Sequence, residues 1–533
     1  MIYKLPNYIL AIISALLLSA GWYAPTTILI FFAWVPLLVI EDKISNSETN
    51  KKKKLAITGY SYLIFFIWNI LVSWWIYYAS LEGACMAVLS NSILMCITFV
   101  IWRNLKQRIA KPWAVWLLIP IWLGFEYGHS LWDLTWTWLT LGNAFAFNHN
   151  WIQWYEFTGT SGGSLWILLV NILVFNLIKQ KTFNIKQVVK PIIAIVFPIT
   201  VSYFILSIST TNQNGKGDYK TVIVQPNVDP YNEKFYFEPG VQLQNLLKQL
   251  DGKLDSTVDF LVLPETFLTE NIFEGKEDQA FSLHFLKDSI LKKYPKLTII
   301  TGANTVYAFK HGETPSATAR KFGDVDEYYD SYNTGIQLNN TEGLTYYHKS
   351  KLVPGVEKMP FPALFKPLES LAINLGGTMG SLGIQDERTV FFSHNKQVGI
   401  APVICYESVY PDYVADYVRN GANFIFIITN DGWWQNTPGH KQHLAYAKLR
   451  AIETRREIAR CANTGISCFI TPYGEIEQAT PYWEKAVITK RMSPIDTKTF
   501  FVRFGDLISY CSSILAILLV IWSQILRFRK TKV

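Results

Sequence analysis

Three short stretches of the chain carry residue types that together could do covalent chemistry, two of them at the end of an apolar run. In Ile400-Ala401-Pro402-Val403-Ile404-Cys405-Tyr406-Glu407 an apolar strand runs straight into Cys405 and then into a polar turn. In Leu261-Val262-Leu263-Pro264-Glu265-Thr266 a carboxylate stands at the end of another such strand, where layered α/β proteins carry their reacting groups. The third stretch, Tyr347-His348-Lys349-Ser350-Lys351-Leu352-Val353-Pro354-Gly355-Val356-Glu357, puts lysines ahead of a Pro-Gly turn and a Glu after it. Each has an inert reading. A buried free Cys is more often packing than nucleophile, a Glu after a strand is usually a solvated turn residue, and a Lys before Pro-Gly is often a charged strand edge. A reactive Cys needs a thiolate, or a base poised to make one. Together the three stretches supply it: a thiol, a Glu to take its proton, and a Lys to stabilise an oxyanion or steady the Glu. Such a set suits acyl transfer through a covalent intermediate.

These residues need a scaffold, and the chain supplies one from about residue 219. Short β-branched runs occur at 221–225, 259–264, 297–301, 398–404, 423–429 and 466–471. Helical stretches lie between several of them, at 241–254, 280–293 and 443–461; in the last, Leu444, Ala447, Ala451 and Ile458 fall near one face. Strands alternating with helices predict a layered α/β domain over 210–505. Segment 308–332, rich in charge, Gly and Thr, reads as an exposed insertion.

The rest of the chain has a different solvent. Of 533 residues, 50% are hydrophobic, 15% aromatic and only 17% charged, against about a quarter charged in soluble proteins. Apolar spans are expected at 7–24, 26–40, 57–79, 83–102, 113–132, 163–178, 191–209 and 507–526. They give a seven-span membrane domain over 1–209, and a last span with its tail over 506–533. The formal charge of +8 is no nucleic-acid signal, because Lys and Arg sit mainly in alternate short loops. Loop 41–56 carries Lys51 to Lys54, loop 103–111 carries Arg103, Lys106, Arg108 and Lys111, loop 179–190 has four lysines, and Arg527, Arg529, Lys530 and Lys532 close the tail. The loops near 25, 81 and 133–162 contain neither Lys nor Arg. Positive-inside bias then puts both termini in the cytoplasm and 210–505 on the far side of the membrane. Loop 133–162 crowds Trp136, Trp138, Phe145, Phe147, Trp151, Trp154 and Tyr155, either as an interfacial aromatic belt or as a lipid-facing wall beside an active site. Six cysteines show no CxxC pair or Cys/His metal spacing, so neither a metal site nor a dense disulfide framework is expected. Cys85, Cys96 and Cys511 fall in apolar runs and read as buried side chains, while Cys461 and Cys468 could bridge.

The Glu in LPET, the Lys in YHKSKLVP and the Cys in ICYE, in that order, resemble the nitrilase superfamily. With eight flanking spans the chain resembles its membrane-embedded apolipoprotein N-acyltransferase family from end to end, including Thr429-Asn430-Asp431-Gly432-Trp433-Trp434, segment 440–450 and Asn463-Thr464-Gly465-Ile466. The resemblance implies a helical membrane domain plus an αββα-sandwich domain outside the cytoplasm. It makes Cys405 the nucleophile, Glu265 the general base and Lys349 the oxyanion partner, with Lys351 a rival that fits the spacing to Glu357 less well. Glu357 becomes a second acidic residue, and Tyr406 and Glu407 shape the nucleophile's turn. Trp433 matches a lipid-contacting tryptophan. Phe235 stands where the family has another, and an aromatic usually precedes the Gly where this chain has Pro354.

The reaction implied passes a fatty acyl chain from a phospholipid, through a thioester, to the α-amine of a diacylglyceryl-cysteine apolipoprotein. No cofactor or nucleic acid takes part, and a monomer in a bacterial inner membrane is expected. Two other classes fit parts of the chain. A membrane-anchored amidase would pass the acyl group to water. A transporter with a non-catalytic nitrilase-like sensor would want intramembrane charge, for which Glu126 is the main candidate.

Overall fold

Runs of β-branched and aromatic residues bounded by turns form strands when both faces can be buried, and long apolar stretches form helices when their backbone must satisfy itself. Both rules operate in this chain. The computed structural model describes residues 2–46, 52–180, 185–209, 218–234, 236–358 and 381–531. Phe235, Lys51, Lys181 and Lys532 lie outside the described residues. The chain divides into two compact units, one of Met1–Tyr77, Leu81–Thr211 and Phe504–Val533, the other of Tyr78–Ser80 and Asn212–Arg503.

The first unit is helical. Among the described residues, five of its helices are long and apolar enough to cross a membrane: Lys54–Tyr78, Leu81–Ile109, Tyr155–Lys179, Ile185–Ile208 and Leu507–Ile525. The other three expected spans are shorter or broken. Residues 7–24 give a 14-residue helix, Asn7–Ala20, and 113–132 splits into a 3-10 turn at Pro112–Leu117 and a helix at Leu118–His129. Residues 26–40 split into a 3-10 turn, Thr26–Phe32, and a helix, Val35–Ser45. Asn171 bridges that break: its Nδ2 donates to Ile30 O at 2.9 Å, and Trp34 N donates to its Oδ1 at 2.8 Å. Irregular backbone survives here because it is buried in protein.

Loop 133–162 folds into 3-10 turns that bury Trp138 and Phe145 and leave Trp136, Phe147, Trp151 and Trp154 half-buried, with Tyr155 buried where the next helix begins. Phe145 stacks 4.8 Å from Trp166. Glu126 accepts from Trp122 Nε1 at 3.0 Å and from Leu141 N at 2.8 Å, which ties it to this packing. The basic loops meet at one end of the unit, where Lys106 pairs with Glu41, Lys179 with Asp42 at 2.6 Å, and Arg108 reaches Ser523. Cys85 and Cys511 are exposed on their helices, contrary to expectation, because the sequence pattern of an all-apolar helix does not mark its inner face.

The second unit holds two mixed sheets. The first has the order β14-β1-β2-β4-β6-β5, with β3 on β4 and β7 on β6; the second runs β13-β12-β11-β10-β9-β8. The strands are β1 Tyr219–Gln225, β2 Phe260–Val262, β3 Leu268–Phe273, β4 Thr298–Ala308, β5 Arg320–Lys321, β6 Tyr328–Asn339, β7 Gly343–His348, β8 Phe391–Phe392, β9 Gly399–Ile404, β10 Ala422–Thr429, β11 Glu457–Ala462, β12 Cys468–Ile470, β13 Ile476–Glu477 and β14 Ala486–Met492. β1, β2 and β4 are parallel neighbours, as are β9, β10 and β11.

The sheets pack face to face, with Phe260 of β2 lying 5.4 Å from Phe426 and 6.3 Å from Phe424 of β10. Helices Pro239–Leu250 and Phe281–Leu286 cover the first sheet through Leu246, Leu283 and Leu286. Helices Pro411–Arg419 and Pro438–Thr454 cover the second, which completes an α-β-β-α sandwich.

One reading of the sequence changes. The helix expected at 443–461 stops at Thr454, because Arg455 turns left-handed at φ 50° and Glu457–Ala462 continues as β11. A short apolar run does not by periodicity alone choose between buried strand and helix. Segment 308–332 is largely exposed, as expected, and forms the tip of the β4–β6 hairpin, with Asp330 buried at its end. Cys461 and Cys468 are both free thiols.

Phe260 is fully buried between the sheets, so Phe260→Ala should cost about 3–5 kcal/mol through the cavity it leaves. Thermal denaturation of the purified protein checks this; an unchanged midpoint would contradict the inter-sheet role.

Candidate active site

Each of the three reactive stretches ends a strand, and the fold brings the strand ends together. Beyond β2 the pairing with β4 continues through Leu263 N to Ile300 O at 2.8 Å and Gly302 N to Pro264 O at 3.0 Å. This holds Glu265 just before Thr266, whose backbone is left-handed at φ 46°. β4 can approach so closely because residue 302 is Gly: a Cβ there would lie 2.3 Å from Thr266 N. Lys349 follows β7 and donates its N–H to Asn333 O at 2.8 Å. Cys405 follows β9, also left-handed at φ 49°, and opens the 3-10 turn Cys405–Val409. Two non-glycine residues in that region mark stored strain of the kind that clusters at functional sites.

The side chains converge on a cavity of about 160 Å³, whose lining includes Glu265, Lys349, Glu357, Cys405, Trp433 and Trp434. Lys349 Nζ donates to Glu265 Oε1 at 2.9 Å and to Glu357 Oε1 at 2.7 Å. Asn333 Nδ2 donates to the same two oxygens, at 2.8 and 3.2 Å. Lys351 is directed elsewhere, with its ammonium 4.9 Å from the centre of the Tyr410 ring.

Burial alone would raise the Glu265 carboxyl, but the charge and hydrogen bond of Lys349, with Lys234 and Asn333, hold it below the usual range. Burial would equally lower Lys349; Glu265 and Glu357 outweigh it and keep that ammonium well above its ordinary value. Burial pushes the Cys405 thiol up, and Glu265 adds to the push while Lys349 opposes it.

The turn after Cys405 is tied down from two sides. Glu407, fully buried, accepts from Tyr347 OH at 2.6 Å, Tyr413 OH at 2.8 Å and Ser350 N at 2.8 Å on one oxygen, and from Ile404 N at 2.9 Å on the other. It therefore links the strand before Cys405 to the loop after Lys349. Burial raises its carboxyl against the pull of those donors. Tyr406 is buried with its ring 5.3 Å from Tyr410. Trp433 packs edge-on against Tyr231, which donates its hydroxyl to Trp433 O at 2.6 Å. Phe235, the other aromatic of interest, lies outside the described residues.

Several polar residues at the site carried no signal of their own in the sequence. Asn333 sits mid-strand in β6, and Lys234 is recognisable as a site residue only in three dimensions. On the other side of the nucleophile, His443 Nε2 lies 3.1 Å from Cys405 O and 2.9 Å from Ser408 Oγ. His443 Nδ1 is 2.9 Å from Asp431 Oδ1, and Arg460 pairs with the other oxygen of Asp431. Burial disfavours an ionised Asp431, but Arg460 and His443 prevail and hold its carboxyl below the ordinary range. Asp431 and His443 fall within the NDGWW and 440–450 segments, which is the only hint the sequence gave. No cluster of His, Cys, Asp and Glu suited to a metal ion occurs among the described residues.

Residues 222–499 match the family model described as carbon-nitrogen hydrolase, and residues 14–173 match the apolipoprotein N-acyltransferase N-terminal domain. An apolipoprotein N-acyltransferase of Chlorobaculum tepidum is 28% identical over 96% of each chain. One from Thermotoga maritima is 25% identical over 76% of this chain and 70% of its own. Among solved structures, Nit3 of Saccharomyces cerevisiae, a member of branch 10 of the nitrilase superfamily, is 17% identical with a TM-score of 0.37, covering 52% of this chain and 91% of that one. A nitrilase-like α/β sandwich joined in one chain to apolar helices, with both parts matched by family models, places the chain in the carbon-nitrogen hydrolase family, in its apolipoprotein N-acyltransferase branch.

Proposed function

We propose that this acyltransferase moves a fatty acyl chain from a phospholipid, through a thioester on Cys405, to the α-amine of a diacylglyceryl-cysteine at the N-terminus of a lipoprotein. The observation that carries the reading is the convergence of Glu265, Lys349 and Cys405 on one small cavity. The curated relatives, named apolipoprotein N-acyltransferases along most of their length, support lipoprotein N-acylation as the class of reaction. In this reading the chain is a monomer in a bacterial inner membrane with both termini in the cytoplasm and the catalytic domain on the far side. The gathering of basic loops at one end of the helical unit favours that orientation.

The resting proton belongs on sulfur. Thiol and carboxyl start at ordinary values of 9.0 and 4.5, and the site moves them further apart. Transfer from Cys405 to Glu265 in the resting site therefore runs uphill. It becomes possible as the sulfur bonds to the ester carbonyl carbon, when negative charge passes to the carbonyl oxygen and Lys349 can stabilise it. The C–O bond then breaks, the proton on Glu265 goes to the departing lysophospholipid oxygen, and Cys405 holds the acyl group. In the second half the neutral amine attacks the thioester, the C–S bond breaks, and the amine's proton returns to sulfur by way of Glu265. Thioester becomes amide, which makes this half downhill. Glu357, sharing Lys349, steadies the cation, while Tyr406 and Glu407 hold the nucleophile's turn. Trp433 and Phe235 are assigned to contact with lipid.

Incubation with phospholipid followed by intact mass measurement should show one fatty-acyl increment on the wild type and none on Cys405→Ala. Hydroxylamine and a diacylated lipopeptide should each discharge it. Loss to water with the lipopeptide untouched would make the protein a hydrolase, and no adduct with any donor would defeat the covalent reading.

Glu265→Gln should slow acylation by about 10²–10⁴-fold, the usual worth of a general base. Because its carboxyl is held below 4.5, Glu265 stays ionised down to that pH or lower. Its ion pair thus contributes stability above the ordinary carboxylate value and loses it as pH falls through the folded one. The acid limb of the acylation rate should lie below about pH 4.5; a limb near pH 6 would point to another base.

A further inference from the structure

We propose that Lys234 is a positioning residue of the acyl-transfer site, whose ammonium holds the Glu265–Thr266 turn in its left-handed conformation and brings a second positive charge to the Cys405–Glu265 pair. The proposal rests on the acyl-transfer reading of that pair given above.

The sequence aims this lysine inward through a turn capped by its own side chains. After β1, Glu233 N and Lys234 N both donate to Asp229 O, at 3.1 and 2.9 Å. Asp229 N donates back to Glu233 Oε2 at 3.1 Å, and Tyr231 N donates to Asp229 Oδ1 at 2.8 Å. The Tyr231 hydroxyl on Trp433 O fastens the loop to the cavity wall. Lys234 is 2% exposed as a result. Its Nζ donates to Glu265 O at 2.9 Å and to Thr266 Oγ1.

The two lysines divide one residue between them. Lys349 holds the carboxylate of Glu265, and Lys234 holds its main-chain carbonyl. A β-branched residue at φ 46° is strained and persists only when its surroundings over-determine it. Lys234 bonds to Glu265 O and to the Thr266 hydroxyl, so it grips that turn on both sides of the Glu265–Thr266 peptide. A rigid general base one bond network away from the thiol is what a near-attack geometry requires.

The charge has its own consequence. Glu265, Cys405 and Lys349 are ionisable groups that face Lys234 among the described residues. Burial draws its ammonium down to about 8, against the pull of Glu265 and Cys405. Lys234 is thus a cation at neutral pH that favours an anion on Cys405 or Glu265, and that advantage fades above about pH 8.

The test follows alkylation of Cys405 by iodoacetamide against pH, read on its peptide by mass spectrometry, beside single-turnover acylation by phospholipid. Lys234→Met removes donor and charge; Lys234→Gln keeps an N–H donor without the charge. In the folded Met variant we expect acylation to fall at least about 30-fold and the alkylation profile to move roughly one pH unit upward. The Gln variant should recover acylation to within about tenfold of wild type while keeping the upward shift. A profile superimposable on wild type in either folded variant overturns the electrostatic part. Acylation within about threefold of wild type in the Met variant overturns the positioning part. Should Lys234→Met fail to fold, the Gln profile decides the electrostatic part, and a Gln variant whose acylation falls more than about tenfold despite its N–H donor overturns the positioning part. If the wild type itself takes no acyl group, the acyl-transfer reading fails, and the alkylation profiles still judge Lys234.

Discussion

The ammonium of Lys349 is the charge on which the site depends. Taken out of water, it lies within 2.9 Å of Glu265 and 2.7 Å of Glu357. Desolvating such ions costs several kcal/mol each, and their attraction offsets this only with close geometry and further hydrogen bonds. Asn333 supplies those bonds by donating to both carboxylates. Two carboxylates around one cation would leave a net negative charge beside a thiol that must itself become negative. Lys234, on the main chain of Glu265, restores the balance. With the thiol neutral, two formal positive and two formal negative charges then occupy the site. Removing a single member of such a set leaves an uncompensated buried charge, which is costlier than never having built the pair.

That cluster exists only because the backbone accepts strain at two points. Thr266 and Cys405 both have left-handed backbones, one beside the base and one at the nucleophile. Each is held by groups brought from elsewhere in the fold. Lys234 grips the first turn; Ser408 Oγ and His443 Nε2 meet Cys405 O at the second, at 2.7 and 3.1 Å. The Asp431–His443–Arg460 network thus meets the nucleophile at its carbonyl, while the Asp431 charge also helps hold the thiol protonated. Gly302 belongs to the same account, since any side chain there would displace the Glu265 turn.

How much of this was legible follows the range of the interaction. The six runs read as strands at 221–225, 259–264, 297–301, 398–404, 423–429 and 466–471 all became β1, β2, β4, β9, β10 and β12, because β-branched burial is a local signal. Glu265 and Cys405 stood out because each ends such a run, and Lys349 because it precedes an apolar Pro-Gly stretch. Contacts made across the fold left no comparable mark. Nothing near Lys234 or Asn333 in the chain announces that they meet Glu265. Asn171 likewise stands 137 residues from the helix break it bridges at Trp34. The strand at Glu457–Ala462 was hidden behind a helical pattern that only the left-handed turn at Arg455 interrupts. In loop 133–162 the rings of Trp138, Phe145 and Tyr155 are buried and those of Trp136, Phe147, Trp151 and Trp154 half-buried, because aromatic composition marks affinity for apolar surroundings, and the interior of a helical unit satisfies it as well as lipid does.

The charge balance also bears on why a covalent intermediate suits this site. In the proposed cycle Glu265 is ionised before acylation and again afterwards, carrying a proton only while bonds at the carbonyl change. A neutral thiol is replaced by a neutral thioester, so Lys349, Glu357 and Lys234 face the same charges in both resting forms. The acyl-enzyme therefore needs no electrostatic rearrangement to wait for its second substrate, as a ping-pong reaction demands. The uphill step, placing charge on sulfur or on the carbonyl oxygen, recurs in each half-reaction, and the same two cations face it both times. A site organised around a fixed and balanced set of buried charges can thus serve two successive transition states with one geometry.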